Sequence, residues 1–178
     1  QSYLVTPFDA KTFAPRMEEV LQKIEKQNKV GKYLRETKVF EARGVTGHAI
    51  DLLNHAVKTL PDTSAIYEAL GDVYRVAFQT TGDQQVLQNA AEAFEKALRL
   101  EPQRTRLVTK CVEVYTELMR PKDTVRVLKS YLYKYGFDDD MRTRLGKLYL
   151  QSGDYGAACV ELRRALSVNP DNVEAQTL

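Results

Sequence analysis

The sequence predicts an all-α protein of stacked helical hairpins, and three observations carry that prediction. A small, large, small, breaker pattern recurs at Ala49, Leu53, Ala56 and Pro61, at Ala90, Phe94, Ala97 and Pro102, and at Ala158, Leu162, Ala165 and Pro170. Apolar residues follow helical spacing inside each segment, as in Tyr67, Leu70 and Tyr74, with no strand-like alternation. Gly82-Asp83, Gly153-Asp154, Leu60-Pro61-Asp62-Thr63 and Asn169-Pro170-Asp171-Asn172 each read as a helix stop followed by an N-cap.

The elements follow in order. Residues 1–29 lie outside the period. After an extended lead-in over 1–8, Phe13, Met17, Val20, Leu21 and Ile24 make one apolar stripe, expected as a helix capping the first unit. Its polar face mixes Glu18, Glu19 and Glu25 with Lys23 and Lys26, which argues against an anionic membrane surface; a partner-binding helix is the alternative. Four helical hairpins are then expected at 30–63, 64–104, 105–138 and 139–172. Gly136 follows Pro102 by 34 residues and Pro170 follows Gly136 by 34, whereas Pro61 to Pro102 spans 41. The seven extra residues fall between Tyr74 and Ala90. Phe78 continues one apolar face and Val86 and Leu87 the other, so each helix of that hairpin is expected to gain about a turn. Gly71 and Gly146 cost about 1 kcal/mol each inside a helix and imply a close crossing, with Ala90 and Ala158 expected as the facing surface. Asn172-Val173-Glu174-Ala175 begins a further helix over 173–178. With no polar helix after it, the fourth unit is expected to expose Leu162, Ala165 and Leu166. The chain is therefore expected to continue beyond Leu178, or to bury that end by self-association.

The segments Tyr67-x-x-Leu70-Gly71-x-x-Tyr74 and Gly146-x-x-Tyr149, with the Ala, large apolar, Ala, Pro series behind them, resemble the tetratricopeptide repeat family. The second and fourth copies match best. The first has Glu36 and Thr37 in the Leu-Gly slots. The third has Cys111 and Val112 there, and Gly136 for the proline. Tyr33, Tyr67, Val108 and Arg142 stand in the family's Trp slot. The resemblance implies a right-handed α-solenoid whose first helices line a concave groove that holds a partner peptide or helix. Carried onto this chain, that groove comprises Leu34, Arg35, Lys38 and Glu41 in the first unit and Glu68, Asp72 and Arg75 in the second. Arg106, Lys110, Glu113 and Glu117 follow in the third, and Asp140, Arg144, Lys147 and Gln151 in the fourth. Mutual pairing of these charges is one reading. A basic cluster of Lys110, Arg144 and Lys147 receiving acidic side chains or a terminal carboxylate is the other. The co-chaperones that grip acidic chain ends use Lys and Asn at slots that here hold Leu34, Lys38, Ala69, Arg106 and Lys110, so that activity is not expected.

Composition narrows the function further. The chain has 178 residues, enough to bury roughly 70% of its unfolded surface. Its net charge of +2 gives no reason to expect nucleic acid as an obligate partner. No stretch reaches the roughly 20 apolar residues of a membrane span. No charged stretch followed by an apolar one opens the chain, which starts at Gln1 without a methionine, as a fragment or a processed product with its signal or anchor removed would. Cys111 and Cys159 form no C-x-x-C pair; both are expected as small buried hydrophobes in a reducing compartment, and the location as cytoplasmic. His48 and His55 lie two helical turns apart, about 10 Å, too far to share one ion, so no metal is expected. Neither a nucleophile with its base nor a phosphate-binding glycine loop is present, and no cofactor is expected. Asp138-Asp139-Asp140 is read as a helix cap. Lys129-Ser-Tyr-Leu-Tyr-Lys-Tyr135 interleaves basic and aromatic residues as RNA binders do, though Tyr131 takes a core slot of the repeat. The expected function is a non-catalytic scaffold or assembly adaptor; the alternatives are a helical-repeat nucleic-acid binder and a regulatory domain of a larger enzyme.

Overall fold

The computed structural model describes residues 10–178, with side chains from residue 13; the expected lead-in lies outside the described residues. Among them, nine helices and no strand are present: α1 (Ala10–Ala42), α2 (Thr46–Thr59), α3 (Ser64–Thr81), α4 (Gln84–Leu100), α5 (Thr105–Glu117), α6 (Pro121–Lys134), α7 (Asp139–Gln151), α8 (Tyr155–Val168) and α9 (Val173–Thr177). Each helix packs on its sequence neighbours, and the first helices of adjacent units touch at α1 and α3. That nearest-neighbour packing is the signature of a solenoid.

The caps show why the chain breaks where it does. Gly82 ends α3 in the left-handed region at φ 67°, and Asp83 accepts the Gln85 amide at the start of α4. Gly153 at φ 78° follows α7, and Asp154 accepts the Ala157 amide of α8. Asp138 caps α7 through the Met141 amide and Asn172 caps α9 through Ala175. The seven extra residues lengthen α3 to 18 residues and α4 to 17, where α5 and α7 have 13 and α6 and α8 have 14.

Gly71 and Gly146 both sit at close crossings, but the facing residue differs from expectation. A Cβ on Gly71 would lie 2.5 Å from the Phe94 ring, and one on Gly146 would lie 2.8 Å from Leu162 Cγ. The large residue of the pattern therefore fills the notch, and the alanines lie beside it, because only an absent side chain leaves room for a ring against the opposite backbone. Where the slot holds a side chain, the hairpin opens: α7 and α8 lie closer together than α5 and α6, which have the same lengths and carry Val112 in that slot. Thr37, in the slot of the first unit, is buried with its hydroxyl donating to the Tyr33 carbonyl at 2.8 Å.

Other expectations are corrected by the packing. The capping helix is no separate element, since α1 runs unbroken through residue 29 into the first unit. The stripe Phe13, Met17, Val20, Leu21 and Ile24 is 42–54% exposed and does not fold over that unit. At the other end, Leu162 and Ala165 are buried and Leu166 half-buried, because Ala175 of α9 plugs the fourth hairpin. Cys111 is fully buried as expected, but Cys159 is exposed, since it stands on the outer face of α8 one residue past Ala158.

Met119 makes a stability prediction. It holds φ 56° in the turn between α5 and α6, 34 residues before Gly153, and is 86% exposed. A side chain in the left-handed region is strained by about 1 kcal/mol, partly offset by the freedom glycine adds to the unfolded chain. Met119→Gly is expected to stabilise the fold by about 0.5 kcal/mol, visible as a raised denaturation midpoint at unchanged slope. A lowered midpoint would show that the turn is not strained.

Candidate functional site

The first helices bring the sequence-predicted groove residues into two distinct arrangements. Between α3 and α5 the charges pair with one another. Lys110 Nζ lies 2.9 Å from Glu68 and 2.6 Å from Asp72, and 5.4 Å from the Phe94 ring centroid. Arg106 and Arg104 also approach Glu68, at 3.1 and 3.4 Å. Arg75 donates to Glu113 at 2.7 Å and to Glu117 at 2.8 Å. Lys110 and Glu68 are only 12% and 10% exposed at their side chains, so this central pair is sealed, whereas Arg106, Asp72 and Glu113 around it remain open to solvent. On α1, Arg35 and Lys38 are exposed, with no carboxylate paired to either among the described residues. They stand apart from the seam.

The fourth unit is different. Arg144 pairs with Asp140 on its own helix at 2.9 Å, and Lys147 with Glu174 of α9 at 2.9 Å. These pairs are 38–53% exposed, and exposed pairs are worth about 0–1 kcal/mol, so an incoming group can exchange with them. All four residues line a cavity of about 330 Å³. Val112 and Leu148 give it apolar walls, and the Thr116 and Thr124 hydroxyls and Gln151 add polar groups. Val112 fills the glycine slot of the third unit and Thr124 its first alanine slot. The cavity thus opens where the third copy departs from the repeat pattern.

Protonation reports on the same seam. Burial pushes the Glu68 carboxyl upward, but the hydrogen bond from Lys110 and the charges of Lys110, Arg106 and Arg104 outweigh it, and its pKa falls below the ordinary carboxylate range. Glu95 is likewise pushed up by burial and pulled lower by Arg126 and the Tyr115 hydroxyl. A carboxyl that is harder to protonate when folded stabilises the fold above its unfolded pKa, about 4.3 for glutamate, and that stability is lost as pH falls through the folded value. The melting temperature is expected to hold from neutrality to about pH 5 and to drop below about pH 4. Glu68→Gln should melt lower at neutral pH and show a shallower acid decline; an equally steep decline would remove Glu68 from the account.

Other candidate chemistry resolves into packing. His48 stacks on Phe40 at 5.8 Å between centroids, and His55 lies 6.2 Å from Tyr33. Burial pushes the Cys111 thiol up to about 12, the reverse of an activated nucleophile. No trio of His, Cys, Asp or Glu is placed to hold a metal ion among the described residues, and no described helix is long and apolar enough to cross a membrane. Two arrangements escape sequence reading. Arg142, in the Trp slot, grips the Gly136 carbonyl through Nε at 3.0 Å and Nη2 at 2.8 Å, and Glu161 through Nη1 at 2.7 Å. Tyr115 is flanked by Arg120 and Arg126 while its hydroxyl donates to Glu95 at 2.6 Å, joining α4 to the third unit. Only the unusual Arg in an aromatic slot signals the first; nothing in the spacing signals the second.

Comparison with known proteins places this geometry in context. The tetratricopeptide repeat family profile matches residues 139–172. A curated relative, anaphase-promoting complex subunit 7 of Arabidopsis thaliana, is 27% identical over 135 residues; the match spans 76% of this chain and 23% of the relative's length. A tetratricopeptide repeat protein from Parabacteroides merdae superposes with a TM-score of 0.66 at 21% identity, over 84% of this chain and 57% of that one. YrrB, a repeat protein with an unusual peptide-binding site, gives 0.57 at 19% identity over 87% and 77%. MamA gives 0.62 at 15% identity over 84% and 78%. The family profile thus matches the fourth unit by sequence, and the solved structures share the fold over more than four fifths of the chain.

Proposed function

We propose that this chain is a non-catalytic interaction module, a scaffold or assembly adaptor, that takes a partner segment across the third and fourth units of its concave groove. The observation that carries the proposal is the 330 Å³ cavity beside α5 and α7, whose charged walls, Arg144 and Lys147, are held only by exposed pairs. Apolar walls at Val112 and Leu148 suit one anchoring side chain, with acidic neighbours exchanging onto Arg144 and Lys147. Two likenesses support the reading. The curated relative is by name a subunit of a multi-protein complex, and YrrB has a peptide-binding site on the same fold. Lys110, although basic, sits outside the exchangeable set because Glu68 and Asp72 hold it. A reducing, cytoplasmic setting fits the two free cysteines.

The test is affinity capture with the native chain and with Arg144→Glu/Lys147→Glu. Partner segments retained by the native chain should be lost from the variant while its circular dichroism is unchanged. Retention by the variant would exclude the fourth-unit groove.

A further inference from the structure

The basic and aromatic run on α6 has no role in the groove, yet it builds a cavity of its own. Ser130, Tyr131, Lys134 and Tyr135 turn towards α4 and enclose a space of about 190 Å³ on the side formed by the second helices. Its floor is apolar, from Leu98, Pro102 and Val127. Three cations line it, Arg99, Arg126 and Lys134, against one carboxylate, Glu95.

That carboxylate is already occupied. One oxygen of Glu95 accepts from the Tyr115 hydroxyl at 2.6 Å and from Arg126, and the other faces Arg99 at 3.4 Å. Among the described residues, Lys134 has no carboxylate within 4.0 Å; its ammonium stands 5.5 Å from the Tyr135 ring centroid. The Ser130 and Tyr135 hydroxyls have no hydrogen-bond partner among the described residues, whereas that of Tyr131 is committed to Thr105 at 2.7 Å and Asp138 at 3.2 Å. Arg99 and Arg126 are held by Glu95 and Asp123, so one cation without a carboxylate partner, Lys134, two uncommitted hydroxyls and an apolar floor converge on a space the size of one side chain. Charge-assisted hydrogen bonds from such donors are the strong ones, and an aromatic or aliphatic stem gains by burial on the floor.

We propose that this cavity between α4 and α6 binds an oxyanion carried on an apolar stem, a carboxylate or phosphate monoester side chain of a partner protein. A nucleic-acid backbone fits less well, because a space of about 190 Å³ has room for only one group and the chain carries a net charge of only +2.

The test is a titration of the isotopically labelled chain, followed by amide chemical shifts, with phenyl phosphate, with phenylacetate and with oligouridylate. Saturable shifts at Ser130, Lys134, Tyr135 and Arg99 are expected with phenyl phosphate or phenylacetate, and the tighter of the two identifies the oxyanion. Lys134→Ala should weaken that binding about tenfold, the loss of one charge-assisted contact, and Lys134→Arg should restore it. The groove variant Arg144→Glu/Lys147→Glu should bind these probes unchanged, which keeps this site distinct from the concave one. The proposal is overturned if neither aryl acid saturates at tens of millimolar, if Lys134→Ala binds like the native chain, or if only oligouridylate shifts the α6 amides.

Discussion

Replacing Gly71 with leucine is expected to destabilise the fold by about 3 kcal/mol or more, the upper range for overpacking a close-packed interior. The Cβ alone would lie 2.5, 2.6 and 2.8 Å from three ring carbons of Phe94. Phe94 is fully buried against its own unit and the next, so the ring has no free volume to enter. The helix propensity gained over glycine, about 1 kcal/mol, does not offset that clash. Phe94→Leu, smaller at the contact, should recover part of the loss in the double mutant, and a denaturation cycle over the four proteins measures the coupling. A near-neutral Gly71→Leu would mean that α3 and α4 do not cross at this point.

The second large effect concerns Lys110. Lys110→Glu would set a third carboxylate against Glu68, about one-tenth exposed like Lys110 itself, and against the more open Asp72. Removing one partner of a buried pair typically costs 3–5 kcal/mol, and reversing it adds repulsion. The variant is therefore expected to lose thermal stability, whereas Arg144→Glu and Lys147→Glu, at exposed pairs, should melt within about 1 kcal/mol of the native chain. Thermal melts of the three variants separate a structural lysine from exchangeable ones. Equal, small shifts in all three would place Lys110 back among the groove's accessible cations.

Most of the architecture is readable from residue spacing because hairpin stacking is a local affair. The breaks at Gly82, Gly153 and Asp138 are written in single residues that cap or turn the backbone, and the lengthened α3–α4 hairpin in an apolar face that simply runs on. What escapes is whatever depends on how tightly two helices approach. The alternation of charge along α3 and α5 shows that pairing is available. That alternation does not show that Lys110 is sealed while Lys147 is half-exposed. Nor does spacing show that Ala175, one small residue, packs over Leu162. The exposed stripe on α1 misleads for a related reason. Its spacing declares a helix with an apolar face, and spacing says nothing of whether the chain turns back to cover it. The third unit is the informative exception, since Val112 and Thr124 weaken the repeat pattern at the residues that line the groove cavity.

Hydrogen–deuterium exchange of the chain, free and bound to a captured partner segment, tests the central claim most directly. Binding across the third and fourth units should slow exchange in α5 around residues 112–116 and in α7 around 144–151, where the cavity walls lie. The α3–α5 seam should change little. Protection confined to the α4–α6 cavity or to the α1 stripe, with α7 exchanging as in the free chain, would contradict the groove as the site of partner binding.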